Sequence, residues 1–172
     1  MRDPEVEAAL AALLASVDSK MASSFKVKDE ILDAIHDIDI EIKFHRQEGG
    51  EQIVALADLL TQRADLQCRA RLYQEAEISL REALSIRESS CGPDHYSVST
   101  DLANLARVYH VQELYDEAEP LLKRAILLRK KLVGSEHLKV GELERQYAKL
   151  LRRMNRLIEA EAVEMHVAKI YS

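Results

Sequence analysis

Six histidines, two cysteines and three copies of Glu-Ala-Glu are the residues whose types could support catalysis or metal binding. The histidines stand at 36, 45, 95, 110, 137 and 166. No two form the His-x-x-x-His pair that sets two imidazoles on one helix face, so no metal site is expected. Cys68 and Cys91 lack metal-type spacing and read as the reduced thiols of a cytosolic protein. The Glu-Ala-Glu tripeptides at 75–77, 117–119 and 159–161 recur at equal intervals. They therefore read as helix N-terminal charge rather than as paired acids for proton transfer. Gly-x-Ser-x-Gly, P-loop and dinucleotide fingerprints do not occur. Neither an enzyme nor a cofactor is expected, and the chemistry that remains is recognition.

The clearest recognition chemistry is a cationic ridge. Arg145, Lys149, Arg152 and Arg153 fall at i, i+4, i+7 and i+8, one face of a helix. Forked guanidinium groups suit carboxylates and phosphates. Two readings stand at this level: a solvated helix face, or an electropositive surface for an acidic or phosphorylated peptide.

The elements that must position this ridge follow from a repeat. Gly50, Gly92 and Gly134 align at a spacing of 42 residues, as do Ala64, Ala106 and Ala148. A fixed period of this length marks stacked supersecondary units. Only five Gly and three Pro occur in 172 residues, and 47 % of the chain is apolar. That composition argues for an all-α chain with ample core and against a β-sandwich with many tight turns.

About eight helices are expected. Asp3-Pro4 opens the first, with Val6, Leu10, Leu13, Leu14, Val17 and Met21 on one stripe. A second runs from about 27 to 46, with Val27, Ile31, Ala34, Ile35, Ile38 and Ile42 inward, and Gly49-Gly50 stops it. Residues 1–48 thus read as a degenerate or capping hairpin. Three units follow over 49–91, 92–133 and 134–172. Their helices are expected over about 51–71 and 74–88, 95–112 and 117–132, and 137–155 and 158–171.

Pro120 belongs in a first turn, which sets the start of its helix near Asp116, with Asp116 and Glu119 as a capping arrangement. Gly92-Pro93-Asp94 makes a stop followed by an N-cap candidate at Asp94. Columns that stay apolar (Leu56/Val98/Val140, Leu66/Val108/Leu150, Ile86/Leu128/Ile170) should fill space between helices. Columns that stay small (Ala64/Ala106/Ala148, Ala76/Ala118/Ala160) should let two backbones approach closely.

The formal charge of −6 is unevenly spread. Residues 1–48 hold six Lys/Arg against eleven Asp/Glu, while the rest is nearly balanced. The run Ala8–Val17 is too short for a membrane span and has acidic flanks, wrong for a secretory signal. A soluble, intracellular, cytoplasmic protein is expected.

Leu105-Ala106…Tyr109, Tyr115-x-Glu-Ala-Glu-Pro-Leu, Lys123-Arg124-Ala125 and Gly92-Pro-Asp-His together resemble the 42-residue tetratricopeptide repeat of the kinesin light chain type. The likeness is strongest over 92–133 and weaker over 134–172, where Leu157, Glu164 and Val167 depart from the pattern. The resemblance implies a right-handed superhelical solenoid of antiparallel helix pairs. It also implies that the first helix of each pair lines a concave groove that binds extended peptides or a partner's helix, without catalysis. In the family, an Asn in a Leu-x-Asn-Leu-Ala stretch can hydrogen-bond a bound peptide backbone. Asn104 matches that position, and Gln62 and Gln146 are its amide counterparts.

By register, Arg107 and His110 share the face of the Arg145–Arg153 ridge, and Asp65 and Arg69 take that face one unit earlier. The expected function is therefore a protein–protein interaction scaffold whose groove, basic toward its C-terminal end, binds an extended acidic segment. The alternative is a homo-oligomer assembling head to tail, with the acidic ridge Glu30, Asp33, Asp37 and Glu41 meeting the basic last unit. Glu161, Glu164, His166 and Lys169 instead suit a polar capping helix at that end. Nucleic acid is disfavoured, because the groove lacks the aromatic platforms of single-strand binders.

Overall fold

A computed structural model of the chain describes residues 26–47 and 53–172. The expected first helix over Asp3–Met21 and the Gly49-Gly50 stop lie outside the described residues. The described residues form seven helices and no strand: α1 over 26–47, α2 Ile53–Arg69, α3 Tyr73–Cys91, α4 Tyr96–Val111, α5 Tyr115–Val133, α6 Leu138–Arg153 and α7 Leu157–Tyr171. Helices α2 and α3, α4 and α5, and α6 and α7 pack as antiparallel pairs. Each pair joins the next through its second helix, and the stack is a right-handed solenoid.

Two kinds of turn alternate. Between pairs, Gly92 and Gly134 end α3 and α5 at φ 90° and 89°. Side chains with a Cβ rarely reach that region. The following helix is then capped by histidine: Nδ1 of His95 accepts from the Ser97 amide, and Nδ1 of His137 from the Lys139 amide. Asp94 is thus not the cap of α4; it pairs with Lys131 of α5.

Within pairs, Arg71, Glu113 and Asn155 take left-handed conformations at φ 63°, 62° and 60°. In each turn the next amide reaches back five residues, as in Leu114 N to Tyr109 O at 2.9 Å. This is the Schellman closure, here without glycine.

The start of α5 differs from expectation. It begins at Tyr115 with Leu114 as N-cap and no side-chain cap, so Asp116 and Glu119 form no capping box. Pro120 consequently sits past the first turn. The carbonyl its missing N–H leaves unpaired belongs to Asp116, and both residues lie on the exposed face where water can serve it.

Both small columns are buried, with Ala64, Ala106, Ala148, Ala76, Ala118 and Ala160 at most 1 % exposed. Leu56, Val98 and Val140 are buried, as are Val108, Leu150 and Leu128. On α1, Ile31, Ile35 and Ile42 point inward, but Val27, expected on the same stripe, is 49 % exposed. Phe44, about 200° around the helix from Ile42, is exposed as well.

Candidate functional site

The first helices α2, α4 and α6 scarcely touch one another, and clefts open between them. The cleft between α2 and α4 is a cavity of about 450 Å³ lined by Asp58, Thr61, Gln62, Asp65, Asn104 and Arg107, among others. Arg107 crosses it to Asp65 at 3.1 Å. The cleft between α4 and α6, about 190 Å³, brings Arg107 and His110 to Gln146 and Lys149 over an apolar floor of Ala106 and Leu122. Seven of the sequence-derived groove residues therefore line two adjoining clefts that share Arg107.

The remaining four behave differently. Arg152 turns away to α7, where Nε and Nη2 hold both oxygens of Glu164 at 2.8 and 2.6 Å. The guanidinium of Arg145 lies 4.7 Å from the ring centre of Tyr171. The ridge is thus divided: these two cations are engaged with α7, whereas Lys149 and Arg153 form no ion pair among the described residues. Arg69 is exposed and lines neither cleft.

Burial lowers the pKa of His110, and the charges of Arg153 and Lys149 lower it further. Its ring packs edge-on against Tyr115. Both effects favour the neutral imidazole, so the positive charge at this cleft is that of Lys149 and Arg107, with Arg153 close by.

Two features of the molecule were missed by the sequence reading. The last residue of Glu-Ala-Glu does more than face a helix dipole. Glu77 accepts the Tyr109 hydroxyl of the next pair at 2.7 Å, and Glu119 accepts that of Tyr147 at 3.0 Å. Glu119 also pairs with Lys123 and Arg156, both at 2.7 Å. Lys123 above all, then Arg156 and Tyr147, pull its pKa down to about 2. The available signal was a Tyr in the first helix of the pair that follows each of these Glu-Ala-Glu tripeptides, at separations of 32 and 28 residues.

The second missed feature is an arginine column. Arg87 is buried between pairs, with Nη1 2.5 Å from both Asp101 oxygens, Nη2 2.5 Å from Asp58 and Nη1 2.9 Å from Thr61. One period on stands Arg129, also buried, and one period further Tyr171. The ring of Tyr171 fills its place against Gly141, where a Cβ would come within 2.8 Å of it.

Among the described residues, no group of three or more His, Cys, Asp or Glu is placed to hold a metal ion, and no helix is long and apolar enough to cross a membrane. Cys68 and Cys91 are free and half-buried.

The tetratricopeptide repeat family model matches residues 55–126 and 100–172. No curated protein matches the chain. Among solved structures, the chain is similar to the nearly identical TPR-like repeats of a kinesin light chain-like protein from Podosopora anserina. That match has 18 % identity and TM-score 0.73, covering 88 % of this chain and 72 % of that one. A singly substituted form of that protein matches at 18 % identity and TM-score 0.71, over 81 % of this chain and 66 % of that one. BtubC (BKLC) from P. vanneervenii matches at 16 % identity and TM-score 0.67, over 98 % of this chain and 74 % of that one. The chain thus spans about two thirds to three quarters of the solved chains it resembles.

Proposed function

This chain belongs to the tetratricopeptide repeat family, a family of protein–protein interaction scaffolds, and from that premise we propose that its clefts bind an extended acidic segment of a partner protein. The observation that carries this reading is the α4–α6 cleft. Lys149, a cation without an ion-pair partner among the described residues, lines it beside His110 and the amide of Gln146, and a second such cation, Arg153, stands near enough to His110 to act on it. Carboxylates entering there would find charge that the protein does not itself neutralise.

Asn104, Gln62 and Gln146 would serve the peptide backbone, and Arg107 would exchange part of its bond to Asp65 for a ligand carboxylate. Arg69, Arg145, Arg152 and Arg153 would extend the positive field along the rim. Under this reading each helix pair is one repeat, with units at 49–91, 92–133 and 134–172 behind an N-terminal hairpin over 1–48.

Titration of a labelled Glu-rich peptide tests it. The double variant Lys149→Glu/Arg153→Glu should weaken binding about tenfold or more, while Arg152→Glu, whose cation already serves Glu164, should do less. Equal affinity for the double variant and the wild type would remove the groove from consideration.

A second reading has its own support. Glu30, Asp33, Asp37 and Glu41 are all exposed on α1 and make no ion pair among the described residues. An acidic surface at one end and a basic one at the other would suit head-to-tail association between copies.

A further inference from the structure

Arg87 and Arg129 occupy the same column of successive repeats, yet their surroundings have diverged. Around Arg87 the column supplies Asp58, Thr61 and Asp101. One period later those positions hold Thr100, Ala103 and Leu143. Both carboxylates have gone and the cation has stayed.

Arg129 remains 4 % exposed. Its Nε donates to Ser99 Oγ at 2.8 Å, its Nη2 to Thr100 Oγ1 at 3.1 Å, and its Cζ lies 3.7 Å from the Tyr96 ring centre. Among the described residues no carboxylate pairs with it, and Nη1 makes no hydrogen bond. A buried charge is ordinarily paired, because desolvating it alone is costly. Here the guanidinium borders a cavity of about 200 Å³ that also meets Asn104, Lys139 and Gln146. Glu142 borders it too, but holds Lys139 at 3.1 Å.

We propose that this cavity receives one carboxylate side chain, Asp or Glu, of the bound partner segment, which takes on Arg129 the place that Asp58 and Asp101 take on Arg87. The proposal rests on the acidic-segment reading above and adds to it a specific seat. A planar carboxylate suits the seat because the equivalent arginine is already satisfied by two of them, and Nη1 is free to donate at a cavity that Lys139 also borders. Burial lowers the pKa of Arg129, with Tyr96 and Glu142 opposing, so a counter-ion would relieve a penalty the free protein carries.

The test fills the seat from within. Thr100→Asp, at an exposed position, places a carboxylate where Asp58 stands in the preceding repeat. The folded variant should bind the labelled Glu-rich peptide about tenfold or more weakly, as expected for loss of a charge-assisted hydrogen bond, with an unchanged or raised thermal midpoint. Glu142→Gln, which removes the competing acid, should bind it more tightly. A Thr100→Asp protein that melts like the wild type and binds the peptide equally well overturns the seat. If Lys149→Glu/Arg153→Glu still weakens binding in that case, the groove reading survives alone. A wild-type protein that binds no acidic peptide ends both.

Discussion

Glu119 gathers Tyr147, Arg156 and Lys123 at a single carboxylate, and its pKa falls from 4.5 to about 2 on folding. A carboxyl depressed in the folded state contributes stability above its unfolded value and loses it as pH falls through the folded one. The contribution of Glu119 is therefore complete above about pH 4.5 and disappears toward pH 2. Glu119→Gln should lower the thermal midpoint at neutral pH and flatten its decline over that acid window. An unchanged acid limb would show that the cluster with Tyr147 does not bind the two pairs together. The same residue illustrates what the sequence conceals. Its recurrence in Glu-Ala-Glu was plain, but its partner Tyr147 is 28 positions away and Tyr109 sits one turn further along its own helix than Tyr147 does.

The helices were legible because their punctuation repeats. Gly92 and Gly134 mark the stops, the two histidines share a column, and the alanine columns lie where neighbouring backbones meet. The turns inside each pair were less legible, since Arg71 and Glu113 are not residue types that announce a left-handed conformation. That observation yields a test at the level of one turn. Glu113 is exposed and held at φ 62°, so Glu113→Gly should stabilise the protein by about 0.5–1 kcal/mol, read by denaturant midpoint. Destabilisation would mean that the Glu113 side chain makes a contribution the turn geometry does not reveal. The ridge on α6 shows the limit in the other direction. Periodicity placed four cations on one face, but which of them were free depended on Glu164 and Tyr171 of α7, outside the helix being read.

Over the whole molecule the described charge is polarised, with unpaired acids on α1 and unpaired cations on α6. Surface fields of this kind are screened within about 8 Å at physiological ionic strength. Sedimentation across a concentration series at low and high salt separates the two functional readings. A scaffold that reads acidic peptides should stay at one mass in both conditions, while head-to-tail association should appear at low salt and vanish at high. Fold and repeat were accessible from the sequence because both are written in a period. The seat at Arg129 was not, because it consists of what two distant positions have lost relative to their counterparts at Asp58 and Asp101.

The arginine column has one further consequence. Of its three successive places, the first holds a cation paired with the chain's own acids at Arg87, the second a cation without an acid at Arg129, and the third no cation but Tyr171. With the one unpaired cation in the middle place, a bound segment shifted by a single repeat in either direction would present its carboxylate to a guanidinium already paired or to no guanidinium at all. The array would then discriminate alignment as well as charge, accepting a ligand in one frame and rejecting the same ligand in the two frames beside it.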